Sequence, residues 1–325
     1  MTQTCSAAAS LTVGLALQLT DQSIGPADAA REAEQRGFGS IWIGEHTHLP
    51  TDTVHRYTQG RFSGHSRPEG HVPEVYKRFI DPYIGLTAAA AATTSLRLGT
   101  LVALPAEHNP LILSKVISTL DMVSGGRFEW GIGFGWNPLE TANNGVAFAD
   151  RRAVLREKVL AMRRLWTEEV ASFDGTHVQF GPTWSWPKPM RPPAVLLGAK
   201  LTASNIRFIV EFADGCLPVR AMGEQTLAED LDRLRCEWEA AGREPGALSV
   251  SLVEATGLAG GRRSLDNFRS GLPSAGTVER YRSLGVGRLL LGVPTGDLDT
   301  YRRALDAIVA ARRDWPVTSA AYPIG

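Results

Sequence analysis

Three short stretches carry the residue types that could do chemistry. Glu45-His46-Thr47-His48 sets an H-x-H pair beside a carboxylate. Such a pair at a strand end can hold a catalytic metal when later strands add histidines and a carboxylate. The last histidine of this chain is His177, so the last four predicted strands add none and a metal centre is disfavoured. The plainer alternative is that one or both histidines cap a strand or face solvent. The run GIGFG ends in Phe134 and Gly135 and is followed by Trp136 and Asn137. Small residues there let a flat ring or a phosphate approach the backbone, or simply serve packing. Gly198-Ala199-Lys200 precedes a predicted helix start near Thr202. Free backbone N–H groups and one cation at such a turn suit a phosphate, although an ordinary strand-to-helix turn has the same form. The three stretches, with LPAEHNP (104–110), are apolar, aromatic and glycine-rich, with few carboxylates. They suit a flat, uncharged ring with an anionic tail better than a metal ion.

The elements that would position these groups follow one recurring order: an amphipathic helix, a glycine, a short apolar run. PADAAREAEQR (26–36) reads as a helix stopped by Gly37, and SIWIG (40–44) as a buried strand. The order repeats at 111–122 with 127–133, at 202–213 with 216–219, and at 278–284 with 288–293. Further strands are predicted at 13–19, 96–104, 194–197 and 248–253. About eight strands alternating with helices favour a parallel sheet, closed as a (β/α)₈ TIM barrel. An open doubly wound sheet is the alternative, but Trp136 occupies the third glycine position of its dinucleotide fingerprint. In a barrel the three stretches fall just past strand C-termini, where ligands bind.

Two stretches break the rhythm inside what reads as a single domain over 1–325. Residues 51–80 form a polar insertion after strand 2, read equally as a substrate lid or a mobile surface loop. Residues 168–193, before strand 5, contain a β-hairpin turning at Asp174-Gly175, followed by Trp184 and Trp186, which are expected to pack. The tail, 314–325, reads as a surface loop.

The 34 basic and 34 acidic side chains cancel, which argues against nucleic acid and against an anionic membrane surface as partners. No apolar run reaches the roughly 18–20 residues of a spanning helix. MTQTCSAAAS has no signal-peptide pattern, and the three cysteines (Cys5, Cys216, Cys236) are widely spaced, which together imply a cytoplasmic protein.

The stretches GFGSIWIGEH (37–46), SLRLGTLVALPAEHNPLILSKVISTLDMVSGGRFEWGIGFGW (95–136) and LLGAKLTASNIRFIVEFADGCLP (196–218) resemble the bacterial luciferase-like monooxygenase superfamily. DPYIGLTAAAAATTSLRLGT (81–100) gives the chain the flavour of the branch that uses the deazaflavin coenzyme F420. The resemblance implies a barrel, a homodimer, and a flavin or deazaflavin lying in the C-terminal mouth. It places a non-prolyl cis peptide at Leu101–Val102 behind the ring and a histidine, His46, near the reacting carbon. Phe134, Gly135, Trp136 and Asn137 then fall on the wall of the ring site, and Gly198, Ala199 and Lys200 at the cofactor phosphate. Ala199 departs from the Gly-Gly of many relatives. Trp136 stands where the sugar-phosphate dehydrogenases carry a glutamate, which makes an apolar or aromatic small molecule the expected substrate.

On this reading F420 moves a hydride to or from that small molecule, His46 handles the accompanying proton, and Glu45 orients His46 or pairs with an arginine. The alternatives are an FMN-dependent monooxygenase using dioxygen and a flavin-binding protein without turnover.

Overall fold

The computed structural model describes residues 10–53, 72–219, 226–254 and 265–318. Eight parallel strands close into a barrel in the order β1-β10-β9-β8-β7-β4-β3-β2. They are β1 (Thr12–Leu17), β2 (Ser40–Ile43), β3 (Arg97–Thr100), β4 (Phe128–Ile132), β7 (Ala194–Leu197), β8 (Gly215–Cys216), β9 (Ser249–Glu254) and β10 (Arg288–Val293). This is the (β/α)₈ barrel that the alternation predicts. Gly37 follows its helix with a left-handed φ of 70°, a backbone state that costs glycine nothing. The predicted strands are right in place: 194–197 and 288–293 match, 248–253 is offset by one residue, and the others run long. β8 is two residues, and Val219 returns only as an isolated bridge to Val253. β3 stops at Thr100, and the peptide joining Leu101 to Val102 just beyond it is cis.

The barrel interior is a packed core closed at its N-terminal end by charge. Glu129 of β4 accepts both guanidinium branches of Arg288 at 2.7 and 2.9 Å and also pairs with Arg97. Burial alone would raise the Glu129 carboxyl, but the two guanidiniums outweigh it and hold it at about 2. The opposite end, past the strand C-termini, is left for the site.

β5 (Ala171–Asp174) and β6 (Gln179–Thr183) form the predicted hairpin, but its loop runs over four residues, 175–178. Glu157 sets that loop by accepting the backbone N–H groups of Thr176, His177 and Val178 at 2.6–3.1 Å. Trp184 and Trp186 do not pack: they are 74% and 53% exposed, in the segment that follows the hairpin. Of the polar insertion at 51–80, residues 54–71, with His55, His65 and His71, lie outside the described residues, as do Cys5 and 319–325 of the tail. Among the described residues no helix is long and apolar enough to cross a membrane.

Candidate active site

The barrel mouth holds a cavity of about 740 Å³, within the range of cofactor and ligand pockets. Every barrel strand except β10 sends residues to it, from Ala16–Gln18 after β1 round to Val253 of β9. Gly44, Leu101, Val102, Gly133 and Gly198 line it together. Two of these glycines are explained by their neighbour. A Cβ on Gly133 would sit 2.5 Å from one Val102 methyl, and one on Gly198 would sit 2.4 Å from the other. Their missing side chains admit Val102, and so position the Leu101–Val102 peptide, rather than leaving a bare surface for a ring.

One wall is aromatic. The His46 ring lies 5.2 Å from Tyr76, 5.7 Å from Phe79 and 5.4 Å from Trp136, the last edge-on. Tyr76 and Phe79 come from the described end of the polar insertion, beside and within the short helix Glu74–Arg78. Gly135 turns the chain between Phe134 and Trp136 with a φ of 75°, which a residue with a side chain rarely adopts.

Behind His46 lies a buried acidic network that sequence reasoning missed. His46 Nδ1 meets Glu140 Oε2 at 2.8 Å, and the Thr47 N–H donates to Glu140 Oε1 at 2.9 Å. With Nδ1 committed to a carboxylate, Nε2 is the ring nitrogen left for chemistry. Thr47 Oγ1 reaches Glu107 Oε2 at 3.1 Å, and Asn144 Nδ2 donates to the same oxygen at 3.2 Å. Burial, and then the neighbouring charges of Glu140 and Glu45, push the Glu107 carboxyl up to about 8, so it stays largely protonated at neutral pH. Lys158 donates to the carbonyls of Ala106 and His108 at 2.7 Å; burial lowers it to about 8 against the pull of Glu107.

The expected site residues divide. His46, Glu45, Leu101, Val102, Phe134, Gly135, Trp136, Gly198, Ala199 and Lys200 all line the cavity. Asn137 does not. It is buried as the N-cap of the helix Pro138–Asn143, with Oδ1 accepting the Leu139 N–H and Nδ2 donating to Thr53. The pattern Asn-Pro is itself a helix-start signal. Among the described residues Glu45 neither bonds to His46 nor meets an arginine. Its carboxylate accepts the Leu104 N–H at 2.6 Å and meets His108 Nε2 at 2.8 Å. Burial opposes charge on His108, but that bond and the Glu45 charge outweigh it and raise its pKa. His48 turns away from His46, with Nδ1 at Thr47 Oγ1 and Nε2 at Asn143. Among the described residues no group of three His, Cys, Asp or Glu could hold a metal.

Another part of the cavity lining is basic and polar. Arg151, Arg152 and Lys200 line it with Thr202, Ser204 and Asn205. Thr202 caps the helix Ala203–Phe212 by accepting the Asn205 N–H. The fit to a planar cofactor with an anionic handle rests on three features of one cavity: a backbone floor at Leu101–Val102, an aromatic wall, and a cationic end.

Residues 25–256 match the family of luciferase-like monooxygenases. The chain is 38% identical over 299 residues to an uncharacterized protein of Mycobacterium tuberculosis, covering 91% of this chain and 97% of that one. It is 28% identical over 264 residues to an F420-dependent glucose-6-phosphate dehydrogenase of Kineococcus radiotolerans, covering 79% and 71%. Among solved structures, an F420-dependent secondary alcohol dehydrogenase in complex with an F420-acetone adduct superposes with a TM-score of 0.69 at 16% identity, covering 94% and 99%. At that identity the likeness speaks for the fold alone.

Proposed function

The chain belongs to the luciferase-like monooxygenase family, and from that premise we propose that it is an F420-dependent oxidoreductase acting on a small apolar or aromatic molecule. When bound, the deazaflavin would supply or take up a hydride. The cofactor's ring would rest against Leu101 and Val102, and its phosphate beside Gly198, Ala199 and Lys200. His46 then gives or takes the accompanying proton at Nε2, the ring nitrogen that Glu140 leaves free. Glu140 holds the ring nitrogen on the other side and so fixes which nitrogen carries the exchangeable proton. Trp136, Tyr76 and Phe79 surround His46 with apolar surface. That wall favours an apolar or aromatic substrate over a sugar phosphate and keeps water from the reacting faces.

The observation that carries this reading is the His46–Glu140 pair set into the wall of a cavity whose floor is the Leu101–Val102 peptide. The relative named for F420 supports the deazaflavin over FMN. Separate titrations of the purified protein with F420 and FMN test the cofactor, with submicromolar affinity expected for F420 alone. Oxygen consumption with reduced FMN would mark an oxygenase instead. His46→Ala is expected to cut turnover by roughly 100-fold or more while leaving F420 affinity intact. Turnover within about twofold of the unmodified enzyme would remove His46 from the chemistry.

A further inference from the structure

Glu107 is a buried carboxyl that the chemistry at His46 leaves unused. It stands behind the cavity wall. A Cβ on Gly135 would lie 3.6 Å from Glu107 Oε1, and Gly135 lines the cavity while Glu107 does not. Its Oε2 accepts from Asn144 Nδ2 at 3.2 Å and meets Thr47 Oγ1 at 3.1 Å. The titratable groups facing it are Glu140 and Glu45, which oppose its ionisation, and Lys158 and His108, whose pKa values its charge would raise.

Thr47 joins this carboxyl to the one that holds His46. Its backbone N–H donates to Glu140 Oε1 at 2.9 Å, and its hydroxyl lies 3.5 Å from the same oxygen. Two buried carboxyls thus converge on one hydroxyl that has one proton to give. Like charges so placed resist ionising together, and Glu140 is the one paired with His46. The hydroxyl's other neighbours are His48 Nδ1 at 2.9 Å and Asn144 Nδ2 at 3.3 Å. Thr47 itself is exposed and lies outside the cavity lining. A proton on Glu107 therefore has a way to solvent that does not cross the cavity.

We propose that Glu107 is a positioning residue for the proton chemistry: it offsets the charge that His46 gains or loses by exchanging one proton with solvent through Thr47. This rests on the reading of His46 above. When His46 takes a proton at Nε2, Glu107 gives one from Oε2 to Thr47 Oγ1, and Thr47 passes its own hydroxyl proton to water. When His46 gives a proton, the steps run in reverse. One proton enters as one leaves, so the summed charge of His46, Glu140 and Glu107 is the same before and after. No water has to enter a cavity filled by ligands.

The test is a pH titration of the protein without added ligand, independent of turnover. It follows the nitrogen-15 signals of the histidines and the carbon-13 signals of the glutamate carboxyls, assigned with single variants. In the unmodified protein the His46 nitrogens and the Glu107 carboxyl carbon should move in one shared step. In Glu107→Gln that step should vanish from the His46 signals. In His46→Gln the Glu107 step should shift upward by about half a pH unit or more. His46 signals that ignore the Glu107 step and are unchanged in Glu107→Gln overturn the proposal and leave the proton role of His46 standing. A Glu107 carbon that reports a carboxylate from about pH 5 to about pH 7 overturns it too. Retained turnover in His46→Ala, measured as above, removes the reading beneath it. The shared step is read on the unmodified protein, so a misfolded variant cannot shield the proposal.

Discussion

Replacing Glu107 with glutamine should stabilise the protein increasingly as pH rises above about 4.5 and leave it unchanged below that. The Glu107 carboxyl is raised from its ordinary 4.5 to about 8. Between those values the folded chain holds a proton that the unfolded chain has released, so stability falls as pH rises, by about 1.36 kcal/mol per pH unit. Below 4.5 the folded state bears no such cost, and above about 8 the cost is complete. At pH 7 the carboxyl is about 2.5 pH units past its ordinary value, which corresponds to a cost on the order of 3 kcal/mol relative to a side chain that does not titrate.

Glutamine matches the protonated form. Its carbonyl can accept from Thr47 and Asn144, as Glu107 Oε2 does, and its amide can donate to Thr141 Oγ1, 3.4 Å from Glu107 Oε1. Lys158 limits the clean window from above, because burial lowers it to about 8 and the variant removes the opposing charge. The measurement is the urea midpoint of both proteins at pH 5, 6 and 7. The midpoints should coincide near pH 5 and diverge in favour of Glu107→Gln by pH 7. A constant difference across that window would refute a carboxyl held protonated by burial and by its acidic neighbours.

Three further outcomes follow from the same geometry. Glu140→Gln should lower turnover by roughly 10- to 1,000-fold with F420 affinity within threefold, Glu140→Asp should restore part of it, and nitrogen-15 shifts of His46 should show the altered tautomer. Gly198→Ala should cost about 1–3 kcal/mol, because its Cβ would meet a Val102 methyl at 2.4 Å; Val102→Ala in the same chain should recover much of that loss in a double-mutant cycle read by denaturation. Glu129→Gln should cost about 3–5 kcal/mol by leaving buried Arg288, and half-buried Arg97, against a neutral partner. The depressed Glu129 carboxyl, near 2, gives stability that is present above about pH 4.5 and lost as pH falls toward 2; urea midpoints of the variant should therefore change less across that acid window.

The barrel was legible because its signals are local. Four units write their own amphipathic helix, stop glycine and apolar strand, four more strands show as apolar runs, and eight strands leave few ways to close a parallel sheet. The mouth was legible for the same reason: strand ends can be found once strands are. What escaped were side-chain partners. Glu140 lies 94 residues from His46 and sits in the first turn of a short helix, where an acidic residue needs no further reason than the helix dipole. Glu129 and Arg288 meet across 159 residues. Asn137 was misplaced because a residue following GIGFGW was read as wall, while the proline after it had already marked it as a helix cap. Trp184 and Trp186 were expected to pack from their type alone, yet burial depends on a covering layer that their own segment does not encode.

These placements give the cavity a direction that the chain's zero net charge conceals. Glu140 and Glu45 hold His46 and His108, and Glu107 lies beside Thr47. Arg151, Arg152 and Lys200 line the same cavity and, among the described residues, have no carboxylate partner. On the function proposed above, a ligand with an anionic tail would be favoured with that tail at the arginines. Reversed, its phosphate would meet a cluster that already keeps one proton on Glu107 to limit its own charge, and the cationic end would stay unpaired. With the tail at the arginines, the ring lies toward the Leu101–Val102 peptide and the His46–Trp136 wall. The charges of the distant end would thus orient the ring for the chemistry at His46, which makes binding and catalysis separable: neutralising the arginines should weaken affinity, while altering Glu140 should leave affinity and lower the rate.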